Sequence, residues 1–157
     1  MNEYETTQKR GERLAKKISF LGCGVHRFEK TGRTQLEVLI RHGLNPWSRL
    51  LDIGCGALNG GYWAMHFLDP GCYFGIEPNK EMFEAGAEII PEPDLFATKS
   101  PRFDHNDQYD FSVFGVEFDF FYAHPRPQIE SCGCPDFLVD VLIFSQQKIR
   151  SLCDDYR

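Results

Sequence analysis

The sequence predicts an α/β fold, an open and mostly parallel sheet sandwiched in three layers. Three observations predict it. A short stretch at residues 49–53 that reads as a buried strand breaks directly into a turn rich in glycine, with Gly54, Gly56, Gly60 and Gly61. A second apolar run, residues 72–76, follows a helical stretch and ends on an acid, Glu77. Another helical stretch begins at once. Strand, glycine turn, helix, strand, acid, helix is the pattern of parallel βαβ units joined by right-handed crossovers.

The elements follow in order. Residues 2–18 read as a polar, loosely amphipathic helix, and the glycine-bearing segment 21–25 comes next. Leu36, Leu39, Ile40 and Leu44 recur at helical spacing and make one apolar face. Gly43 suits the left-handed stop of that helix, with Pro46 beyond, so His42 is a cap-region residue rather than a base. After the first strand, residues 62–68 form a helix closed by Asp69, Pro70 and Gly71. Asn79 can cap a helix over residues 80–88. Prolines 91, 93 and 101 make residues 89–100 a loop. Residues 102–107 are a third strand and residues 116–123, between Gly115 and Pro125, a fourth. Residues 137–144 suit a fifth strand and 146–156 a closing helix. The expected organisation is an N-terminal helical extension, residues 1–30, and one ligand-binding domain, residues 31–157.

Composition bounds the function. The 157 residues carry 42% hydrophobic and 25% charged side chains, the balance of one ordinary globular domain. With 17 basic and 23 acidic residues the net charge is −6, which opposes a phosphate backbone, so nucleic acid is not an expected partner. The basic group Lys9, Arg10, Arg13, Lys16 and Lys17 reads as a solvated helix face. No apolar run of about 18 residues is present to span a bilayer. The polar N-terminus is no signal peptide, so the expected compartment is the cytoplasm and the six cysteines read as reduced thiols. Cys132 and Cys134 lack the second ligand pair a zinc site needs, and no metal is expected. His26 and His124 read as structural, Tyr62 and Trp63 as core, and Arg33 as a surface residue.

The chemistry lies in Asp52, Gly54, Cys55 and Gly56, with Glu77 placed 21 residues after Gly56. Glycines where a strand turns into a helix let the backbone approach a ligand with no Cβ in the way. In a parallel sheet the acid at the next strand's tip lies beside that turn, where it can accept hydrogen bonds from the two hydroxyls of a ribose. A dinucleotide fingerprint would need G-x-G-x-x-G and a pyrophosphate. Glycines at 54, 56, 60 and 61 are more loosely spaced. A carboxylate at Asp52 also suits a ligand bearing an ammonium and a sulfonium better than one bearing two phosphates. That favours S-adenosylmethionine over a nicotinamide nucleotide.

These residues resemble class I S-adenosylmethionine-dependent methyltransferases, within them a bacterial subgroup of small stand-alone enzymes. Residues 50–56 are similar to the family's first motif, Tyr73 to Asn79 to its second-strand acid, and Phe118 to Ala123 to its fourth strand. The match covers roughly residues 30 to 124. The resemblance implies a Rossmann-like three-layer sandwich and methyl transfer from S-adenosyl-L-methionine to a small-molecule acceptor. It implies that Asp52, Gly54, Cys55, Gly56 and Gly60 cradle the methionine part of the cofactor. Glu77 with Pro78 and Asn79 would hold the ribose, Asn106 and Asp107 would lie near the adenine, and Ala123 with His124 would line the pocket. No catalytic base is assigned.

The family's core has seven strands, the last two an antiparallel hairpin. Here the text changes abruptly after Ala123, and the remaining residues leave no room for strands six and seven. The expectation is a fold incomplete relative to that core, truncated or frameshifted, with an exposed sheet edge through which the chain would form a homodimer. The alternative function is a module that binds S-adenosylmethionine without turnover, or a fragment with no function.

Overall fold

The computed structural model describes residues 9–19, 25–123 and 142–144. A short helix α1 (Arg10–Leu14) comes first, then a 3-10 turn (Val25–Arg27) that runs into α2 (Phe28–Arg41). The alternating part follows as β1 (Leu50–Ile53), α3 (Asn59–Phe67), β2 (Tyr73–Ile76), α4 (Lys80–Glu88), α5 (Leu95–Lys99) and β3 (Arg102–Asp104). A second 3-10 turn (Phe111–Phe114) leads to β4 (Phe120–Ala123), and β5 (Leu142–Phe144) is the last described element.

The sheet order is β3-β2-β1-β4-β5. The first four strands are parallel, with Asp52 level with Gly75 on one side and Tyr122 on the other. β5 runs antiparallel to β4, Ala123 opposite Leu142. The mostly parallel α/β architecture expected from the sequence is therefore present. The chain leaves β1 toward β2 and returns on the other side of β1 as β4. Open sheets of this kind leave a crevice at the carboxyl ends of the strands where the order reverses. Here that crevice lies above β1 and β4.

Alternate strand residues face opposite layers. Leu50, Tyr73 and Tyr122 pack against Leu39 and Leu44, against Leu58, Tyr62, Ala64, Met65 and Leu68 around α3, and against Leu95 of α5. Leu51, Phe74, Ile76 and Phe121 point the other way and meet Phe114 and Phe118. The rings of Phe74, Phe114, Phe118 and Phe121 meet edge to face at 5.1–6.0 Å between centroids. Arg102 lies over Phe74 and Phe114 and donates to the Phe114 carbonyl at 2.7 Å. Four of the chain's 14 phenylalanines meet in this layer, on the sheet face opposite α3.

Several expectations need correction. Ile40 is 41% exposed and does not belong to the buried face of α2, which consists of Phe28, Glu29, Gly32, Gln35 and Leu39. Ile40 lies one residue, about 100°, round the helix from Leu39. Residues 89–100 are not all loop, because α5 occupies Leu95–Lys99 with Leu95 buried. β3 stops at Asp104, three residues short of expectation, because the Asp104 carboxylate accepts from the Asn106 N–H at 2.8 Å and turns the chain. β4 starts only at Phe120. Asp119 and Arg49 close the start of its pairing with β1, and Phe118 joins the aromatic layer instead. α3 begins at Asn59, three residues before the expected start. For the helix expected at 2–18, Arg10–Leu14 is helical and residues 2–8 lie outside the described residues. The fifth strand is described only over Leu142–Phe144, and residues 146–156 lie outside the described residues.

The described part of the N-terminal extension shares a core with the strand-bearing part. Leu14 and Phe28 are fully buried against Ala57, Ala85 and Ile89. α4 approaches the chain after the glycine turn so closely that a Cβ on Gly86 would collide with the Ala57 backbone. Backbone cannot rotate aside as a side chain can. Overpacking of this kind costs ~1–3 kcal/mol, against about 0.8–1.0 kcal/mol of helix propensity gained over glycine. Gly86→Ala should therefore lower the urea midpoint; a raised midpoint would show that α4 stands off from Ala57.

Candidate functional site

β1 ends at Ile53 and the backbone turns at once. Gly54 has φ +75° and Gly56 has φ +53°, a region that strains any residue with a Cβ. The Gly54 and Cys55 N–H groups both donate to the Ile76 carbonyl, at 2.8 and 3.1 Å, which ties the turn to the tip of β2. A Cβ on Gly54 would meet no atom of the described residues within 4 Å, so among them the backbone there borders open space.

Glu77 stands at the tip of β2 and is only 4% exposed. Its Oε2 accepts from the Gly56 N–H at 2.9 Å and its Oε1 from the Asn79 N–H at 2.9 Å. The glycine turn and the downstream acid are thus one hydrogen-bonded unit. An ionised carboxylate has about four acceptor positions, so two remain after these bonds.

Asp52 lies beneath the turn, buried, with its Oδ2 accepting from the Tyr73 hydroxyl at 2.6 Å. Its Oδ1 is buried with no partner among the described residues. Burial pushes this carboxyl up to about 7; the Tyr73 hydrogen bond opposes the rise and the Glu77 carboxylate adds to it. Across the register, the buried Tyr122 hydroxyl also has no partner among the described residues. Burial, then Asp52, pushes it well up. Cys55 is a buried free thiol, pushed well up by burial and then by Asp52 and Glu77, so it stays a neutral thiol.

The other sequence-selected residues divide. Pro78 is half-buried beside Glu77, and Asn79 is exposed and caps α4 by accepting from the Met82 N–H at 3.1 Å. Ala123, level with Ile53, ends β4 beside the crevice. Gly60 is not in the turn: it sits in the first turn of α3, where Gln35 of α2 fills the space a Cβ would need. Asn106 spends its amide within its own loop, donating to Asp104 and the Asp110 carbonyl and accepting from the Asp110 N–H. Asp107 is exposed and accepts from Gln108. His124, Cys132 and Cys134 lie outside the described residues.

Two residues that sequence reasoning passed over touch these acids. Tyr73 holds Asp52, and its hydroxyl takes the space a Cβ on Gly61 would occupy. Its signal was a hydroxyl-bearing ring inside an otherwise apolar strand run. His105 follows β3, with Nδ1 2.6 Å from the Glu77 carbonyl and its ring edge-on to Phe83 at 5.0 Å.

The ionisable side chains gathered at the turn, Asp52 and Glu77, are both acids. They favour hydroxyls and a cationic ligand over phosphates. An open cavity of about 490 Å³ between α1 and α2, lined by Glu12, Val25, His26, Glu29, Lys30 and Arg33, shares no residue with this arrangement. Arg33 lies over the Trp63 ring at 5.5 Å on that side of the molecule. Among the described residues no helix is long and apolar enough to cross a membrane.

No protein-family model and no curated protein sequence matches the chain. Solved structures do resemble it. YjhP from E. coli matches with a TM-score of 0.41 and 20% identity, over 64% of this chain and 37% of that one. A SAM-dependent methyltransferase from Thiobacillus denitrificans, in complex with S-adenosyl-L-homocysteine, matches with a TM-score of 0.37 and 19% identity, over 68% of this chain and 37% of that one. The chain thus spans a little over a third of the length of each of these two proteins.

Proposed function

We propose that the strand tips bind S-adenosylmethionine and that the protein transfers its methyl group to a small-molecule acceptor. One observation carries the reading. The buried Glu77 carboxylate is hydrogen-bonded to Gly56 of the left-handed turn, at the tip of the strand beside β1. Its two remaining acceptor positions suit the vicinal hydroxyls of a ribose. The open space at Gly54 suits the amino-acid end of the same ligand, beside β1 and β4. Asp52, near neutrality in the absence of a partner charge, ionises readily when an ammonium or sulfonium lies close.

When bound, S-adenosylmethionine supplies a methyl group already activated by its sulfonium. The chain's own task is then alignment and exclusion of water. Holding two reactants in line contributes ~7–11 kcal/mol in favourable cases, with no bond formed to the protein.

Titration calorimetry with S-adenosylhomocysteine, on the parent chain and on Glu77→Gln, tests the site. The expected result is micromolar binding that weakens by about 100-fold in the variant, the scale of a lost hydrogen bond to a charged group. A folded parent chain with no affinity, or one that prefers a nicotinamide nucleotide, would remove the proposal. Binding without methyl transfer to any of a panel of small nucleophiles would leave a binding module.

A further inference from the structure

We propose that Tyr122 is a positioning residue for Asp52: its hydroxyl supports the ionised Asp52 carboxylate across the β1–β4 register and so sets how readily a cationic ligand is received. The inference rests on the proposed cofactor site at the strand tips.

Asp52 and Tyr122 are register partners on neighbouring parallel strands. Such partners point to the same face of a sheet. Tyr122 lies on the α3 side together with Tyr73, whose hydroxyl already reaches Asp52. Both residues are 3% exposed. Each holds one buried polar atom with no partner among the described residues, Oδ1 of Asp52 and the hydroxyl of Tyr122. Buried groups left unpaired are costly, and one internal water between these two would satisfy both. The other ionisable groups coupled to Asp52 are Tyr73 of β2, Glu77 at the tip of β2 and Cys55 of the turn. α3 covers this layer with Gly61, Ala64 and Met65, which do not titrate, while the Tyr62 hydroxyl donates to Glu92.

The direction of the link follows from the donors. Tyr73 donates to Oδ2, so the proton of a neutral Asp52 sits on Oδ1. A phenol can both donate and accept. With Asp52 neutral, the link runs from Oδ1 toward Tyr122. Once Asp52 ionises, the Tyr122 O–H points back and the link ends on a charge. Hydrogen bonds to ionised groups are roughly twice as strong as neutral ones, so the link favours the carboxylate. Tyr122 stays a neutral donor, because burial and then Asp52 push it well up.

Tyr122→Phe removes the link and keeps the ring. Carbon-13 shifts of the aspartate carboxyls, with Asp52→Asn to identify the resonance, follow Asp52 directly in the ligand-free chains. Its titration, at about 7 in the parent, should move up by about one unit in Tyr122→Phe. Fewer molecules then hold the carboxylate that receives the ammonium at low pH. Calorimetry with S-adenosylhomocysteine should show about a tenfold loss of affinity at pH 6 and less than about a twofold loss at pH 8.5. In an Asp52→Asn background, Tyr122→Phe should make no pH-dependent difference. An unmoved Asp52 titration, or a loss of affinity equal at both pH values, would reduce Tyr122 to packing and overturn the proposal. Should Tyr122→Phe not fold, the parent itself decides: the Tyr122 Cζ shift should follow the Asp52 titration, and a shift that ignores it would overturn the proposal. A parent chain that binds no ligand would take away the proposed function, whereas the carboxyl titration would still show whether the two residues are coupled.

Discussion

Between pH 4 and pH 8 the stability of the Asp52→Asn chain should rise, relative to the parent, by on the order of 4 kcal/mol. The reasoning starts from where the carboxyl sits. Asp52 is 3% exposed at the end of β1, with one oxygen bonded to Tyr73 and the other buried without a partner among the described residues. Burial, with the Glu77 charge adding to it, lifts the group from 3.8 to about 7. A raised carboxyl favours the folded state fully below pH 3.8, where it is protonated in both states. From there up to about 7 the unfolded chain has released its proton and the folded chain has not. Stability is therefore lost steadily over that window, at 1.36 kcal/mol for each unit between the two values. Asparagine cannot titrate, and through this window the folded parent's Asp52 is still protonated and puts no charge on its neighbours, so the difference in slope reports Asp52. The offset at any single pH will include the cost of burying an amide N–H; the slope will not. Denaturant melts of both chains at four pH values supply the measurement, and parallel curves would show that Asp52 is ionised in the folded protein throughout. The destabilised carboxylate fits the proposed function, since a cationic ligand would relieve the penalty. In calorimetry, S-adenosylmethionine binding near pH 7 should release protons from the parent and fewer from Asp52→Asn.

How much of this was legible in the sequence depended on the range of the interaction. The glycine turn and Glu77 were legible because their chemistry is local and repeats with the βαβ unit. A strand that ends on glycine must turn, and the acid at the neighbouring parallel tip must arrive beside it. The hydrogen bond from Gly56 to Glu77 is the physical form of that pairing. The buried face of α2 was not legible by hydropathy, since Glu29 and Gln35 lie on it and Ile40 does not. Glu29 is buried because its partner, Arg10, comes from 19 residues earlier. α5, with five residues, is shorter than the periodicity that would reveal it. The surroundings of Asn106 were not legible for a geometric reason. Asp104 turns the chain three residues earlier than expected, which sends Asn106 into its own loop and leaves His105 against Glu77. The pairing of Gly61 with Tyr73 is set by helix-to-strand distance, which sequence spacing does not carry.

The Arg10–Glu29 pair leads to the other large effect. Arg10 is 0% exposed, its Nε 2.7 Å from Glu29 Oε1 and its guanidinium carbon 3.8 Å above the centre of the Tyr62 ring. Burial lowers its affinity for the proton while the Glu29 charge and hydrogen bond support it. Nη1 already has no partner among the described residues. Glu29→Ala would therefore leave a buried cation with only the Asn59 carbonyl, the Tyr62 ring and the charge of Glu92 to support it, and removing one member of such a pair costs about 3–5 kcal/mol. The damage should travel, because α1 is held by few other ties. Arg13 donates to the Ile89 carbonyl at 2.7 Å, Lys17 pairs with Glu88, and Leu14 closes over Ala57, next to Gly56 of the turn. Once Arg10 turns out toward water, Leu14 loses its seat, so Glu29→Ala should also weaken S-adenosylhomocysteine binding. Replacing both members, Arg10→Met with Glu29→Leu, keeps the volume and removes both charges; such exchanges are often neutral or stabilising. The double variant should thus recover most of the stability and the ligand affinity lost in the single one. Urea melts of the three chains decide it. A Glu29→Ala cost below about 1 kcal/mol, the scale of an exposed pair, would mean that Arg10 reaches solvent and that α1 is not fastened by this contact.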